Sequence, residues 1–172
     1  MEKTRKIVRT AMFTAMLIGA QFILSSVSGI EIVTVLFVCF SYSYGIREGI
    51  AVAALFSLVR CLVFGFFINV FILYIIYYSL LSLFFGWLGH RLSRNNSFKE
   101  VMITVPCAVI FTLLFTLLDD ILTPLIFGFT KNAATTYFFA SLYTVIPQMV
   151  CTAVTVTVFF NPLTKIFLKT SN

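Results

Sequence analysis

The sequence predicts an all-α integral membrane protein, a bundle of six transmembrane helices. Of its 172 residues, 60% are hydrophobic and 10% are charged, and the mean hydropathy is +1.06. A soluble domain is roughly half apolar and a quarter charged, so this composition is typical of a chain embedded in lipid. A span needs about 20 mostly apolar residues, and six spans use most of the chain. We therefore expect residues 1–172 to form a single transmembrane domain.

Short polar or glycine-containing breaks divide the apolar segments. The N-terminal run has the basic start of a signal peptide, but all that follows is equally apolar, so we expect it to stay as the first span. The segments SSVSG, GIREG and GFTKNAAT mark turns, and HRLSRNNSFKE is the one plainly hydrophilic loop, while the third and fourth spans have no clear polar loop between them. NPLTKIFLKTSN is expected to be an interfacial tail. The expected spans are approximately residues 7–27, 30–44, 50–66, 67–89, 101–127 and 136–160.

The basic residues fall almost entirely on one side of this arrangement. Ten of the twelve lie on the side of the termini, whereas Lys131 lies on the other side and Arg60 lies within span 3. The positive-inside rule then places both termini in the cytoplasm. We expect a multi-pass protein of the plasma membrane. Membrane topology thus explains the net charge of +6, and we expect no nucleic-acid partner. The ten are Lys3, Arg5, Lys6, Arg9, Arg47, Arg91, Arg94, Lys99, Lys165 and Lys169.

The motifs of common enzymes and metal sites are missing from the sequence. It contains no Walker A loop, no GxSxG elbow and no HExxH helix. The four cysteines are scattered singly in apolar stretches without metal-binding spacing, which favours small buried hydrophobes. We therefore expect neither an enzyme nor a resident metal or cofactor.

Two of the expected spans carry small residues at every fourth position, which places them on one helix face. Helices in lipid associate by close packing over such faces. The face of span 3 fits packing inside the bundle, whereas that of span 1 fits equally a partner protein. The two faces are Ala11, Ala15 and Gly19 in span 1, and Gly49, Ala53, Ser57, Cys61 and Gly65 in span 3.

Polar side chains within the spans indicate a binding pocket that opens to the outside between spans 4, 5 and 6. Polar groups in a membrane are costly and suggest function by default. Tyrosines add flat apolar faces with a hydrogen-bonding tip, which suit a ringed, water-soluble ligand. The candidate substrate-binding residues are Glu31, Arg60, Asn69, Tyr77, Asp119, Asp120, Tyr137, Thr144 and Gln148.

Each candidate also has a purely structural interpretation. Arg60 is compatible with a ligand contact or with an internal ion pair to Asp120 or Glu31. Tyr77 fits ordinary packing as well as a ligand. Threonines in membrane helices often bond their own backbone, which applies to Thr144.

The chain resembles the substrate-binding S components of energy-coupling factor (ECF) vitamin transporters over essentially its whole length. The resemblance depends on the six-span architecture, on AMFTA (Ala11 to Ala15) as the family's AxxxA motif, and on YGIREG (Tyr44 to Gly49) as its glycine-containing turn. It implies that Ala11 and Ala15 dock on a transmembrane coupling subunit, with Gly19 extending that face, and that two ATPase subunits supply the energy. It also implies a pocket for a vitamin-like micronutrient in the outer half of spans 4 to 6.

The resemblance does not name the substrate. Arg60, on span 3, lies at a less typical position for a ligand contact in this family. The paired acids beside many aromatics favour a ring with a cationic or amine-bearing part.

Two other functions are compatible with the sequence. One is a self-sufficient secondary carrier that uses Asp119 or Asp120 as its coupling site, although no twofold repeat stands out. The other is a structural or assembly membrane protein without a ligand.

Overall fold

A computed structural model describes residues 2–24, 32–92 and 98–171 of the chain. These residues form six helices and no strand, which confirms the all-α class for the described part. Glu31, Arg94 and the SSVSG break lie outside the described residues. The helices are α1 (Glu2–Leu24), α2 (Ile32–Tyr44), α3 (Ile46–Phe64), α4 (Ile68–Arg91), α5 (Phe98–Phe127) and α6 (Lys131–Ser171).

Four of the described helices, α1, α4, α5 and α6, are long and apolar enough to cross a membrane. Helix α2 has 13 residues, and at 1.5 Å per residue it is about 20 Å long, short of a hydrocarbon core of about 30 Å. Helix α3 has 19 residues but contains Arg47, Glu48 and Arg60. The count of six complete spans therefore stays a prediction.

Helices α3 and α6 differ from the expected spans. Only Gly45, with φ 90°, separates α2 from α3, so the expected GIREG turn lies mostly in the first turn of α3. Most residues of the expected interfacial tail belong to α6, which has 41 residues with Pro147 and Pro162 inside it, and the interfacial position stays a prediction. The C-terminal part of α6 stays helical because Thr164 is buried and Phe167 packs against the core.

The short helix α2 lies at the centre of the bundle. Every residue from Thr34 to Ser43 is buried, and α2 packs mainly against α4 and α6. A helix that is apolar on all sides is covered either by protein or by lipid. Helices α4 and α6 cover α2, so its 13 residues do not need to reach across the hydrocarbon core.

Close packing around α2 depends on small residues. A Cβ on Gly86 would lie 2.7 Å from the backbone nitrogen of Ile46, and one on Gly89 would overlap the carbonyl oxygen of Tyr42. On α3, Ala53 is fully buried. The internal interpretation of the span 3 face is confirmed for its helical members, since Gly49, Ala53, Ser57 and Cys61 are all buried.

One end of the bundle, which we call the basic end, gathers most of the described lysines and arginines. Here Arg9 of α1 donates hydrogen bonds from Nε and Nη2 to the Glu48 carboxylate of α3, with Nε 2.9 Å from Oε2. The Arg9 guanidinium also lies 3.9 Å from the centre of the Tyr44 ring, whose hydroxyl is 2.6 Å from Thr170 Oγ1. The start of α1, the α2–α3 turn and the end of α6 thus meet. Since α6 ends here, its beginning and the end of α5 lie at the opposite end.

Candidate functional site

A polar pocket of about 270 Å³ lies between α5 and α6, toward the end opposite the basic end. Its volume is just below the 300–1,000 Å³ that is usual for small-molecule sites, so it fits a compact ligand. Four predicted residues, Asp119, Tyr137, Thr144 and Gln148, converge on it. The pocket is lined by Phe115, Thr116, Asp119, Tyr137, Ala140, Ser141, Thr144 and Gln148.

Helical periodicity explains how these side chains meet. On α6, the polar residues follow one another at steps of four, three and four, which keeps them on one face. On α5, Thr116 and Asp119 are three apart and share the facing surface. The pocket is therefore lined by two helices, and the predicted contribution of α4 lies behind its wall.

Two hydroxyl groups hold the Asp119 carboxylate. The Tyr137 hydroxyl donates to Oδ2 at 2.6 Å, and the Thr123 hydroxyl donates to Oδ1 at 2.7 Å. Asn69 of α4 donates from Nδ2 to Thr123 Oγ1 at 3.3 Å. Asn69 thus positions Asp119 through Thr123 and does not itself line the pocket.

Asp120 points toward α6 beside the pocket. Ser141 donates to its Oδ2 at 2.7 Å, while Oδ1 is buried and has no hydrogen-bond partner within the described residues. Within residues 2–24, 32–92 and 98–171, neither Asp119 nor Asp120 forms an ion pair with a lysine or arginine. The pocket therefore has one carboxylate in its lining, Asp119, and a second, Asp120, beside it, and neither has a described counter-charge. Carboxylates within apolar membrane helices usually face a polar cavity or a partner.

Tyr77 and Arg60 are not among the described residues that line the pocket, and aromatic rings connect both of them to Phe115 in its wall. Tyr77 is 1% exposed, and its ring packs edge-on against the pocket residue Phe115 with centroids 4.8 Å apart. The Arg60 guanidinium lies 4.3 Å from the centre of the Tyr74 ring, which itself packs edge-on against Phe115. Arg60 makes no ion pair with Asp120, and Glu31 lies outside the described residues.

Sequence reasoning missed Phe115 as a pocket wall and the linking role of Thr123. Both lie four residues from Asp119, on its own helix face. Spacing from that carboxylate is a signal that could have found them. Phe115 was obscured because it is one of 21 phenylalanines in the chain.

The small-residue face of α1 has a different environment from that of α3. Ala11, Ala15 and Gly19 are all exposed. Gly19 has no heavy atom within 4 Å of the place where a Cβ would lie. Within the described residues, this face of α1 is therefore not used for packing inside the bundle.

No family model matches the chain, and no curated protein or solved structure does either.

Proposed function

We propose that this chain is the substrate-capture subunit of an importer of the energy-coupling factor type. It binds a small water-soluble nutrient from outside and delivers it inward together with a transmembrane coupling subunit and two ATPase subunits. The observation that carries the proposal is the contrast between its two small-residue faces. The face of α3 is buried by packing inside the bundle, whereas the face of α1 is exposed.

The bare face of α1 supports a protein partner. Small residues let two helix backbones approach closely in lipid, where van der Waals packing drives association. Ala11 and Ala15 belong to the AMFTA segment on which the resemblance to S components depends. A coupling subunit that presents its own helix is the partner of this proposal.

The pocket between α5 and α6 supports capture of a compact ligand that carries a positive charge. Asp119 and Asp120 supply negative charge without a described counter-ion. Phe115 and Tyr137 supply aromatic faces on which a ring or a cationic group can stack. Thiamine-like or other amine-bearing rings have this chemistry.

The membrane topology of the proposal follows from charge and helix length. Four described helices are long enough to cross a membrane. The described lysines and arginines gather mainly at the basic end, which the positive-inside rule assigns to the cytoplasm. The pocket then lies in the outer half of the plasma membrane, where a capture subunit meets its substrate.

Native mass spectrometry of the tagged protein, purified gently from its own membranes, tests the proposal. We expect it to retain ATPase and coupling subunits and a vitamin-sized molecule. A bare chain, under conditions in which a known S component keeps its partners, would overturn the proposal. Transport by the purified chain alone in liposomes, driven by an ion gradient, would favour the secondary carrier.

Matched variants on α6 test whether the pocket holds the ligand. Thr144 lines the pocket and Thr157 is exposed elsewhere, and the hydroxyls of both bond their own helix backbone. We expect Asp119→Asn to weaken binding by about 10- to 150-fold, since a hydrogen bond to a charged group contributes about 1.5–3 kcal/mol. Thr144→Val should weaken binding, whereas Thr157→Val should not. If Asp119→Asn, Thr144→Val and Thr157→Val all bind the ligand with equal affinity, the ligand does not occupy this pocket.

A further inference from the structure

A second and larger groove lies at the basic end, between the first half of α1 and the last turns of α6. Its volume is about 1120 Å³, above the usual range for a small-molecule site. Aromatic rings form its floor, with Phe13 lying 5.7 Å from Phe167 and 4.1 Å from Phe40. The groove is lined by Thr4, Arg5, Val8, Arg9, Met12, Phe13, Met16, Phe40, Tyr44, Ile166, Phe167 and Thr170.

The groove is polar at one end and apolar along its length. Thr4, Arg5 and Thr170 lie toward the termini of the two helices, while Met12 and Met16 lie deeper along α1. From Thr4 to Met16 the helix rises about 18 Å at 1.5 Å per residue. One leaflet of a hydrocarbon core is about 15 Å thick, half of about 30 Å. The length and polarity of the groove thus match one half of a bilayer.

Among the described residues that line the groove, Arg5 carries the positive charge that has no ion-pair partner. The other arginine of the groove, Arg9, is engaged by Glu48 and by the Tyr44 ring. Arg5 is exposed and makes no ion pair within the described chain. The neighbouring positive charges of the basic end add to its field, and such clusters attract anionic lipid.

We propose that this groove binds an anionic phospholipid, with its phosphate at Arg5 and an acyl chain along the apolar floor. Its wall favours lipid over a partner helix, because helices approach closely over small residues, and those lie on the face of Ala11 and Ala15. The groove presents long and flexible side chains such as Met12, which adapt to irregular apolar shapes. The proposal requires that the chain lies in a membrane, but it does not depend on the proposed importer function.

The test measures lipid retained by the purified full-length chain. The protein is exchanged into neutral detergent containing equal amounts of phosphatidylglycerol and phosphatidylcholine with identical acyl chains, and bound lipid is counted by native mass spectrometry. We expect phosphatidylglycerol to be preferred. Arg5→Gln should lower that preference about fivefold, the equivalent of about 1 kcal/mol for one basic side chain at an anionic surface. Lys99→Gln, which removes an exposed charge at the start of α5, should lower it much less, because Lys99 does not line the groove.

Two further arms identify the source of binding. Met12→Trp should reduce retention of both lipids by filling the groove, because Met12 is exposed there and its replacement does not disturb the core. Glycerol phosphate without acyl chains should not displace phosphatidylglycerol. Displacement by glycerol phosphate would show a free-phosphate site and overturn the proposal. Equal retention of the two lipids by the unmodified protein, or equal effects of Arg5→Gln and Lys99→Gln, would also overturn it. Ligand binding at the α5–α6 pocket is measured separately, so the two proposals fail independently.

Discussion

Replacing Ala15 with leucine distinguishes a docking face from an internal packing face. Ala15 is exposed on α1, and Leu is as good a helix former as most residues. We therefore expect Ala15→Leu to change the free energy of unfolding by less than about 0.5 kcal/mol. The matched variant is Ala53→Leu on α3, where the alanine is fully buried. Overpacking of this kind costs about 1–3 kcal/mol.

The functional effect should have the opposite order. A leucine at position 15 inserts three extra heavy atoms between α1 and a partner helix, and it should abolish co-purification of the coupling subunit and substrate uptake. Ligand binding by the isolated chain should be unchanged, since Ala15 is not in the α5–α6 pocket. Ala53→Leu should lower thermal stability and reduce all activities together.

Thermal unfolding in detergent, ligand binding and uptake by cells carrying the partner subunits give the three readings. Gly19→Ala, which adds only a methyl group to the same face, serves as a milder variant. Two results would refute the reasoning. One is normal uptake with Ala15→Leu, and the other is a loss of stability as large as that of Ala53→Leu.

Three other substitutions test particular contacts. Tyr137→Phe removes the 2.6 Å hydrogen bond to the pocket carboxylate. It should destabilise the fold by about 1.5–3 kcal/mol and weaken ligand binding, because the Asp119 carboxylate loses one of the two hydroxyls that hold it; unchanged affinity would contradict this. Glu48→Gln should destabilise the fold by about 1–3 kcal/mol, because Arg9 loses a charged hydrogen-bond partner, and a smaller change in thermal unfolding would show that this ion pair is replaced by water. Gly89→Ala should destabilise the fold by at least about 1–3 kcal/mol, because the added methyl group overlaps the buried carbonyl of Tyr42. Gly19→Ala should stabilise the fold by up to about 1 kcal/mol. The reverse order in thermal unfolding would contradict this packing.

Periodicity along single helices was sufficient for part of the candidate site. The α6 line that includes Tyr137, Thr144 and Gln148 was readable because residues three and four apart share a face, and the structure brings all three to the pocket. The α6 partners of Asp119 and Asp120 could not be predicted from the sequence. The hydrogen bonds from Tyr137 and Ser141 depend on the relative rotation of α5 and α6, which no local pattern contains.

The sequence by itself determined the all-α class and approximate helix positions, because apolar composition and glycine or polar breaks act locally. The tertiary structure alone decided which helix is central and which small-residue face is free. Thr34 to Ser43 of α2 are buried because α4 and α6 surround them. The sequence of a 13-residue apolar segment does not indicate whether the helix lies at the centre or at the edge of a bundle. Ala15 and Ala53 have the same side chain and similar spacing, yet one is exposed and the other fully buried. Burial is a property of neighbours distant in the chain, and for that reason it required the folded arrangement.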